Sequence, residues 1–202
     1  EATRLVLGYE YADDQRVTDR GVPSFVGAPL RGYDDTFFGS PTANHSAVTA
    51  HIARARLDHD LSDALSANLT GQYAHYDKYY GNVYARSAAT ASTVELEGYN
   101  SDTIRENWIV QGNLVWKGKT ATLGHQLLFG FEASDQLTDA KRSEAAFGAG
   151  LASRVTVPLA QRLILPTVTF GASSRSSLSK VRTLSAYVQD QIDLGELVKV
   201  VL

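Results

Sequence analysis

Apolar and polar residues alternate along much of this chain with a period of two. From Leu65 to Tyr73 the odd positions are Leu65, Ala67, Leu69, Gly71 and Tyr73, and the even ones Ser66, Asn68, Thr70 and Gln72. Successive side chains of an extended backbone point to opposite sides, so this run predicts a strand with one apolar and one polar face. Trp108, Val110, Gly112, Leu114 and Trp116 make a second such face, opposed by Gln111, Asn113 and Lys117 mixed with Ile109 and Val115. Three further runs follow the pattern more loosely. Leu5, Leu7, Tyr9 and Tyr11 oppose Arg4, Gly8 and Glu10; Ala53, Ala55 and Leu57 oppose Arg54, Arg56 and Asp58; and Leu123, Leu127, Phe129, Phe131 and Ala133 share a face with His125. In the run from Thr183 to Leu194, Leu184, Val188 and Ile192 also stand at helical spacing, but its strand neighbours favour a strand.

The connections alternate in length. Leu61 to Ala64, Gly118 to Thr120 and the Gly195 region read as tight turns, whereas Asp13 to Ser46, Asp77 to Thr103 and Leu137 to Arg182 read as long polar links. Structureless loops of that length are uncommon in a compact soluble domain. Short turns at one end and long, extracellular loops at the other are the layout of an outer-membrane barrel. The expected fold class is therefore all-β, with antiparallel up-and-down strands. Six runs and the start of a seventh fall short of the roughly eight strands of the smallest spanning barrel. An open sheet edge finds no hydrogen-bond partners in hydrocarbon. The expectation is thus an arc of a transmembrane β-barrel, and both chain ends, at Glu1 and Leu202, fall inside strand-like runs as a fragment would.

The tryptophans indicate which face meets lipid. Eight residues separate Trp108 from Trp116, which is about 27 Å at ~3.4 Å per residue. A tilt of ~40° shortens this to roughly 20 Å in height, near the ~25 Å apolar band of such barrels. Tryptophan suits both rims, because an apolar ring carries an N–H that reaches the headgroups. The competing reading is a pair of core tryptophans in a soluble β-domain, which the polarity of the opposite face disfavours.

Composition removes other classes. The 202 residues include no cysteine, so a disulfide scaffold, a thiolate zinc site and a cysteine nucleophile are excluded. A net charge of −3 gives no basic excess for nucleic acid, and no run of ~20 apolar residues forms a membrane-spanning helix. His45, His51, His59, His75 and His125 are scattered, without HExxH spacing. Gly148-Ala149-Gly150 lies in a long link rather than between a strand and a helix, so it does not read as a phosphate loop. No nucleophile motif, Walker sequence or paired carboxylates appear, and no enzyme is expected. Asn44-His45-Ser46 and Asn68-Leu69-Thr70 fit the glycosylation sequon, a pattern common by chance and without meaning in a bacterial wall.

The long links carry the candidate binding chemistry. Residues Asp77 to Arg86 and Arg31 to Gly39 interleave tyrosine, phenylalanine and cationic side chains. An anionic aromatic ligand wants guanidinium groups for its charge and ring faces for stacking. Tyr73 and Tyr76 fit the outer aromatic girdle. Tyr80, Tyr84, Arg86 and Arg105 are the ligand-binding candidates, with Phe37 and Phe38 behind them; no catalytic or metal-ligating residue is expected.

Several phrases resemble a known family. His125-Gln126-Leu127-Leu128-Phe129-Gly130-Phe131-Glu132, then Leu184-Ser185-Ala186-Tyr187-Val188-Gln189-Asp190-Gln191-Ile192, is similar to barrel strands of TonB-dependent siderophore receptors. Arg56-Leu57-Asp58-His59-Asp60-Leu61 resembles that family's strand ending at a periplasmic turn. Arg20-Gly21-Val22-Pro23-Ser24, Gly32-Tyr33-Asp34-Asp35-Thr36-Phe37-Phe38-Gly39, and Tyr99-Asn100-Ser101 with Arg105-Glu106-Asn107 resemble its catecholate branch. The resemblance covers nearly the whole chain but only a middle portion of a full receptor, so residues 1–202 are expected to be one partial barrel domain.

The resemblance implies a barrel of about 22 strands with a plugged lumen, located in the bacterial outer membrane. It also implies uptake of a ferric siderophore driven by the inner-membrane TonB complex. The TonB contact belongs to the plug segment, which this chain lacks, and the other expected partner is the lipid bilayer. No cofactor is expected: the ferric siderophore is the cargo, and its own oxygens hold the iron. A passive porin-like channel is the alternative function. A soluble β-sandwich binding module is a third reading.

Overall fold

The computed structural model describes residues 3–195 and 197–202 and bears out the all-β expectation. The expected strand-like run from Glu1 has its first two residues outside the described range. Among the described residues eleven strands occur: β1 (Thr3–Arg16), β2 (Ser24–Phe25), β3 (Ala28–Pro29), β4 (His45–Ser62), β5 (Leu65–Ala85), β6 (Thr93–Thr120), β7 (Leu123–Phe147), β8 (Val155–Pro158), β9 (Val168–Phe170), β10 (Arg175–Asp193) and β11 (Lys199–Val201). Six are long, and with β11 they form one antiparallel sheet in the order β1-β4-β5-β6-β7-β10-β11. Short strands β8 and β9 extend it beside β6 and β7, and β2-β3 is a separate ribbon. Among the described residues β1 pairs with neither β10 nor β11, so the sheet is open.

Register explains why the alternation is so regular. Tyr9, Ala53, Tyr73 and Trp108 lie in one row across β1, β4, β5 and β6; Leu5, Leu57, Leu69 and Gly112 lie in another. Rows continue into β7 and β10, where Val110, Ala133 and Leu184 align, as do Leu114, Phe129 and Val188. Directly opposed residues share a face, so every apolar face predicted from the sequence falls on one side of one sheet. Among the described residues no second sheet covers that side: Trp108 is 57% exposed, and Leu69 and Phe129 are also exposed.

The opposite side is a polar lattice. Asn113 Nδ2 donates to Asn68 Oδ1 at 3.0 Å, Tyr187 Oη donates to Asn113 Oδ1 at 2.6 Å, and Gln111 Nε2 donates to Tyr187 Oη at 3.0 Å. The Tyr187 ring reaches these partners by lying across Gly130, where an added Cβ would stand 2.1 Å from the ring. Gly130→Ala should therefore displace the ring and break both of its hydrogen bonds, costing on the order of 1–2 kcal/mol. Denaturant unfolding in detergent checks this, with Gly8→Ala, whose Cβ would meet nothing within 4 Å, as the comparison.

The ends of the strands correct the sequence reading. The expected turn at Gly118 to Thr120 lies instead at Ala121 and Thr122, with Ala121 in the left-handed region (φ 55°). The expected link from Asp77 to Thr103 is mostly strand: β5 continues to Ala85 and β6 begins at Thr93. The link from Leu137 likewise shrinks to residues 148–174, because β7 continues to Phe147 and β10 begins at Arg175. Each extension begins with a stretch polar on both faces, such as Asn100 to Thr103 of β6 and Thr138 to Glu144 of β7, which interrupts the alternation before it resumes at Val94 and Leu96 against Glu95 and Glu97.

Beyond the apolar band the long strands meet a small core. Leu30, Phe38 and Ala43 of the first loop pack with Val83 of β5, Val94 and Leu96 of β6, Phe147 of β7 and Val157 of β8. Asn44, only 2% exposed, fastens this loop. Its Oδ1 accepts from the backbone N–H groups of Ser40 (2.9 Å) and Val83 (2.8 Å), and its Nδ2 donates to the carbonyls of Thr18 and Val83, both at 2.9 Å. Gln161 ties the third loop to the first by donating to the Gly32 carbonyl at 2.8 Å.

Candidate functional site

The strand extensions bring chemistry together on the polar face. Tyr80 and Tyr84 on β5 and Tyr99 and Arg105 on β6 alternate with residues of the other side, and the register puts them on the side of Asn68 and Gln72. Tyr99 is the centre of the group. The Arg142 guanidinium of β7 stands 3.6 Å from its ring centroid and Arg20 of the first loop 5.6 Å. Arg20 Nη2 also donates to the Tyr99 hydroxyl at 2.8 Å and lies 4.1 Å over the Tyr84 ring. Tyr80 and Tyr84 flank Tyr99 at centroid separations of 6.0 and 6.3 Å.

Charge at this end is crowded and partly compensated. Tyr84 Oη donates to Glu97 Oε1 at 2.9 Å. Burial pushes the Tyr84 phenol above its ordinary value, and the Glu97 hydrogen bond and charge push the same way, so the phenol stays a donor through neutral pH. Arg86 pairs with Glu95 at 3.3 Å and Glu97 at 3.1 Å, and Arg154 approaches Glu97 at 3.8 Å. Arg142 Nε donates to Glu144 at 3.0 Å, yet Arg142 also lies directly opposite Arg175 of β10. Like charges facing across a ladder repel, and an anion bridging them relieves that repulsion.

Of the candidates read from the sequence, Tyr80, Tyr84 and Arg86 fall in this cluster. Arg105 is on the same face but lower, opposite Tyr76, with Nε donating to Thr138 Oγ1 at 3.2 Å. Phe37 is half-buried, and Phe38, at 3% exposed, packs edge-on to Tyr33 inside the loop core. The Phe38 ring presents no surface to a ligand; it holds the loop that carries Arg20. Sequence reasoning did not single out Arg142 or Arg175 as binding residues, because the run from Leu137 onward read as a loop. Once β7 is followed to Phe147, Arg142 shares the face of Gly130 and Glu132, which its even number would have given.

Among the described residues no group of three or more His, Asp or Glu could hold a metal ion. The site offers cations and rings.

A family model described as TonB dependent receptor-like, beta-barrel, matches residues 1–202. No curated protein matches the chain in sequence. Solved structures do match. The siderophore receptor PiuA from Acinetobacter baumannii is 21% identical, with 96% of this chain and 31% of that chain covered and a TM-score of 0.72. The ferric-catecholate import receptor Fiu from E. coli K12 is 18% identical, with 96% and 32% covered and a TM-score of 0.74. BauA, the ferric preacinetobactin receptor from Acinetobacter baumannii, is 16% identical, with 96% and 29% covered and a TM-score of 0.72. At these identities the likeness is one of fold, and the chain spans about a third of the length of each.

Proposed function

Because the chain belongs to the TonB-dependent receptor-like β-barrel family, we propose that it forms part of a bacterial outer-membrane receptor that takes up a ferric catecholate siderophore under TonB drive. Residues 1–202 are then one partial barrel domain, and the plug that contacts TonB lies in sequence beyond them. The apolar face meets the bilayer and the polar lattice lines the interior, as in barrels of this kind.

The observation that carries the ligand class is Tyr99 between Arg20 and Arg142, with Arg175 opposite Arg142. An iron complex wrapped in catecholates is anionic and presents aromatic rings. Guanidinium groups answer the charge, and tyrosine rings offer stacking faces. Tyr80, Tyr84, Arg86 and Arg105 contribute to the same surface, and Phe37 and Phe38 support it from the loop. The protein supplies no iron ligand; the cargo keeps its iron in its own oxygens.

Binding of a ferric tris-catecholate to the full-length receptor, read by tryptophan fluorescence, tests this. Arg20→Ala with Arg142→Ala should weaken binding at least about tenfold, since each charge-assisted contact is worth roughly 1.5 kcal/mol or more. Arg86→Ala with Arg105→Ala should also weaken it, and unchanged affinity would remove that pair from the site. A ferric hydroxamate bound as tightly as the catecholate would defeat the ligand class. Cells without TonB should bind the complex but not import it. Ion conductance by the purified receptor without TonB would favour a porin-like channel instead.

A further inference from the structure

The three loops above the apolar band each send one arginine to the same place. Tyr84 and Glu97 face each other across β5 and β6, and Tyr84 Oη donates to Glu97 Oε1 at 2.9 Å. The first loop lays the Arg20 guanidinium 4.1 Å over that Tyr84 ring. The second loop begins at Arg86, whose Nε stands 3.1 Å from Glu97 Oε2. The third loop brings Arg154 Nε to 3.8 Å from the same oxygen. Register explains why one carboxylate is reached from so many sides. β7 pairs with Tyr99 to Thr120 of β6 and β8 with Thr93 to Leu96, so Glu97 lies where one partner gives way to the other. The β6-β8 ladder, continued by one residue, sets Arg154 opposite Glu97.

We propose that Glu97 is a positioning residue for cargo binding. It draws Arg86 and Arg154 together by charge and seats Arg20 through the Tyr84 phenol, so that three loops present one set of guanidinium groups. The role rests on the reading of this surface as a ferric catecholate site, and it adds Arg154 to the residues that meet the cargo. Like charges on separate loops repel, and arginine is rich in rotamers. Three unrestrained arginines would each lose that freedom when the cargo arrives; held by Glu97, they have lost it beforehand. The Arg154 side chain is 50% exposed, which leaves much of its five-donor fork open to the cargo. A carboxylate also repels an anionic cargo, and this makes the sign of its effect decisive. Repulsion alone predicts tighter binding when Glu97 loses its charge, whereas positioning predicts weaker binding.

The test is binding of a ferric tris-catecholate to variants of the full-length receptor. Glu97→Gln keeps an oxygen for the Tyr84 hydroxyl but loses the charge that gathers Arg86 and Arg154. It should bind about tenfold more weakly, the effect expected when charge-assisted contacts are lost. Glu97→Asp keeps the charge on a shorter stem and should bind more tightly than Glu97→Gln. A role in shape alone would give the reverse order, because glutamine matches the size of glutamate and aspartate does not. Arg154→Ala should weaken binding about threefold in the wild-type background and hardly at all beside Glu97→Gln, since residues that act through one another are not additive. Resistance of each variant to sodium dodecyl sulfate before heating verifies that the barrel is folded. Affinity in Glu97→Gln equal to or above wild type, or above Glu97→Asp, overturns the positioning role. Additive losses for Glu97→Gln and Arg154→Ala overturn the link between them. A folded wild-type receptor that does not bind the ferric catecholate sinks the ligand reading and this role together, whereas binding that Glu97→Gln leaves untouched sinks the role alone.

Discussion

Asn44→Ala should release the first loop from the strand extensions while leaving the lower barrel folded. The substitution deletes four hydrogen bonds at once and strands the N–H groups of Ser40 and Val83 and the carbonyls of Thr18 and Val83. Each buried group left unpaired costs roughly 1–3 kcal/mol. Partial entry of water lowers the sum, and about 3–5 kcal/mol of loop docking free energy is the expected loss. Since 1.4 kcal/mol is about a factor of ten, the loop should open more than a hundredfold more often. Hydrogen exchange across residues 17–44 and the rate of proteolysis there are the measurements. Asn44→Asp separates amide chemistry from size. It keeps both acceptances at Oδ1 but sets a carboxylate oxygen against two carbonyls, so it should do no better than alanine. Protection equal to wild type in either variant would refute the clasp. Because Arg20 rides on this loop, both variants should also weaken ligand binding from a distance.

Leu69→Arg should destabilise the protein in a bilayer by about 2–4 kcal/mol, the cost of a cation on the lipid face near the midplane. Leu69 lies midway between Tyr73 and Leu65, which pair with Trp108 and Trp116 at the two rims, and 46% of it is exposed. Its neighbour Thr70 faces the other way, toward Gln111 and Arg56. Thr70→Arg should cost no more than about 0.5 kcal/mol, as surface substitutions in water do. Reversible unfolding from lipid vesicles compares the two. Equal costs would mean that the apolar side does not meet hydrocarbon, and the receptor reading would lose its physical basis. Few pairs of adjacent positions separate the two faces so cleanly.

The candidate site was legible in pieces. Tyr80 and Tyr84 stood out as rings beside cations, and the structure brings them to Tyr99. Arg86 also stood out, but its charge is already met by Glu95 and Glu97, carboxylates on the neighbouring strand that no local pattern linked to it. Phe38 looked like a stacking surface and is a core residue, because the residues that bury it come from β5 to β8. Asn44 drew notice only as part of a sequon. Its four backbone partners belong to Thr18, Ser40 and Val83, and two of these are distant in sequence.

The sequence by itself determined that strands form, which side of each is apolar, how many long strands there are, and that tight and long connections alternate. Within the apolar band the two faces of a strand have different surroundings, so each position states its side by its polarity. Just above the band a stretch polar on both faces, such as Asn100 to Thr103 of β6 and Thr138 to Glu144 of β7, interrupts the signal, which resumes only at the tips, where Val94 and Leu96 alternate with Glu95 and Glu97. There the length of the strands, the clasp at Asn44 and the grouping of Arg20, Tyr99 and Arg142 were decided by tertiary structure alone. Arg20 and Tyr99 are 79 residues apart along the chain, and only the register of the sheet and the docking of the first loop bring them within reach.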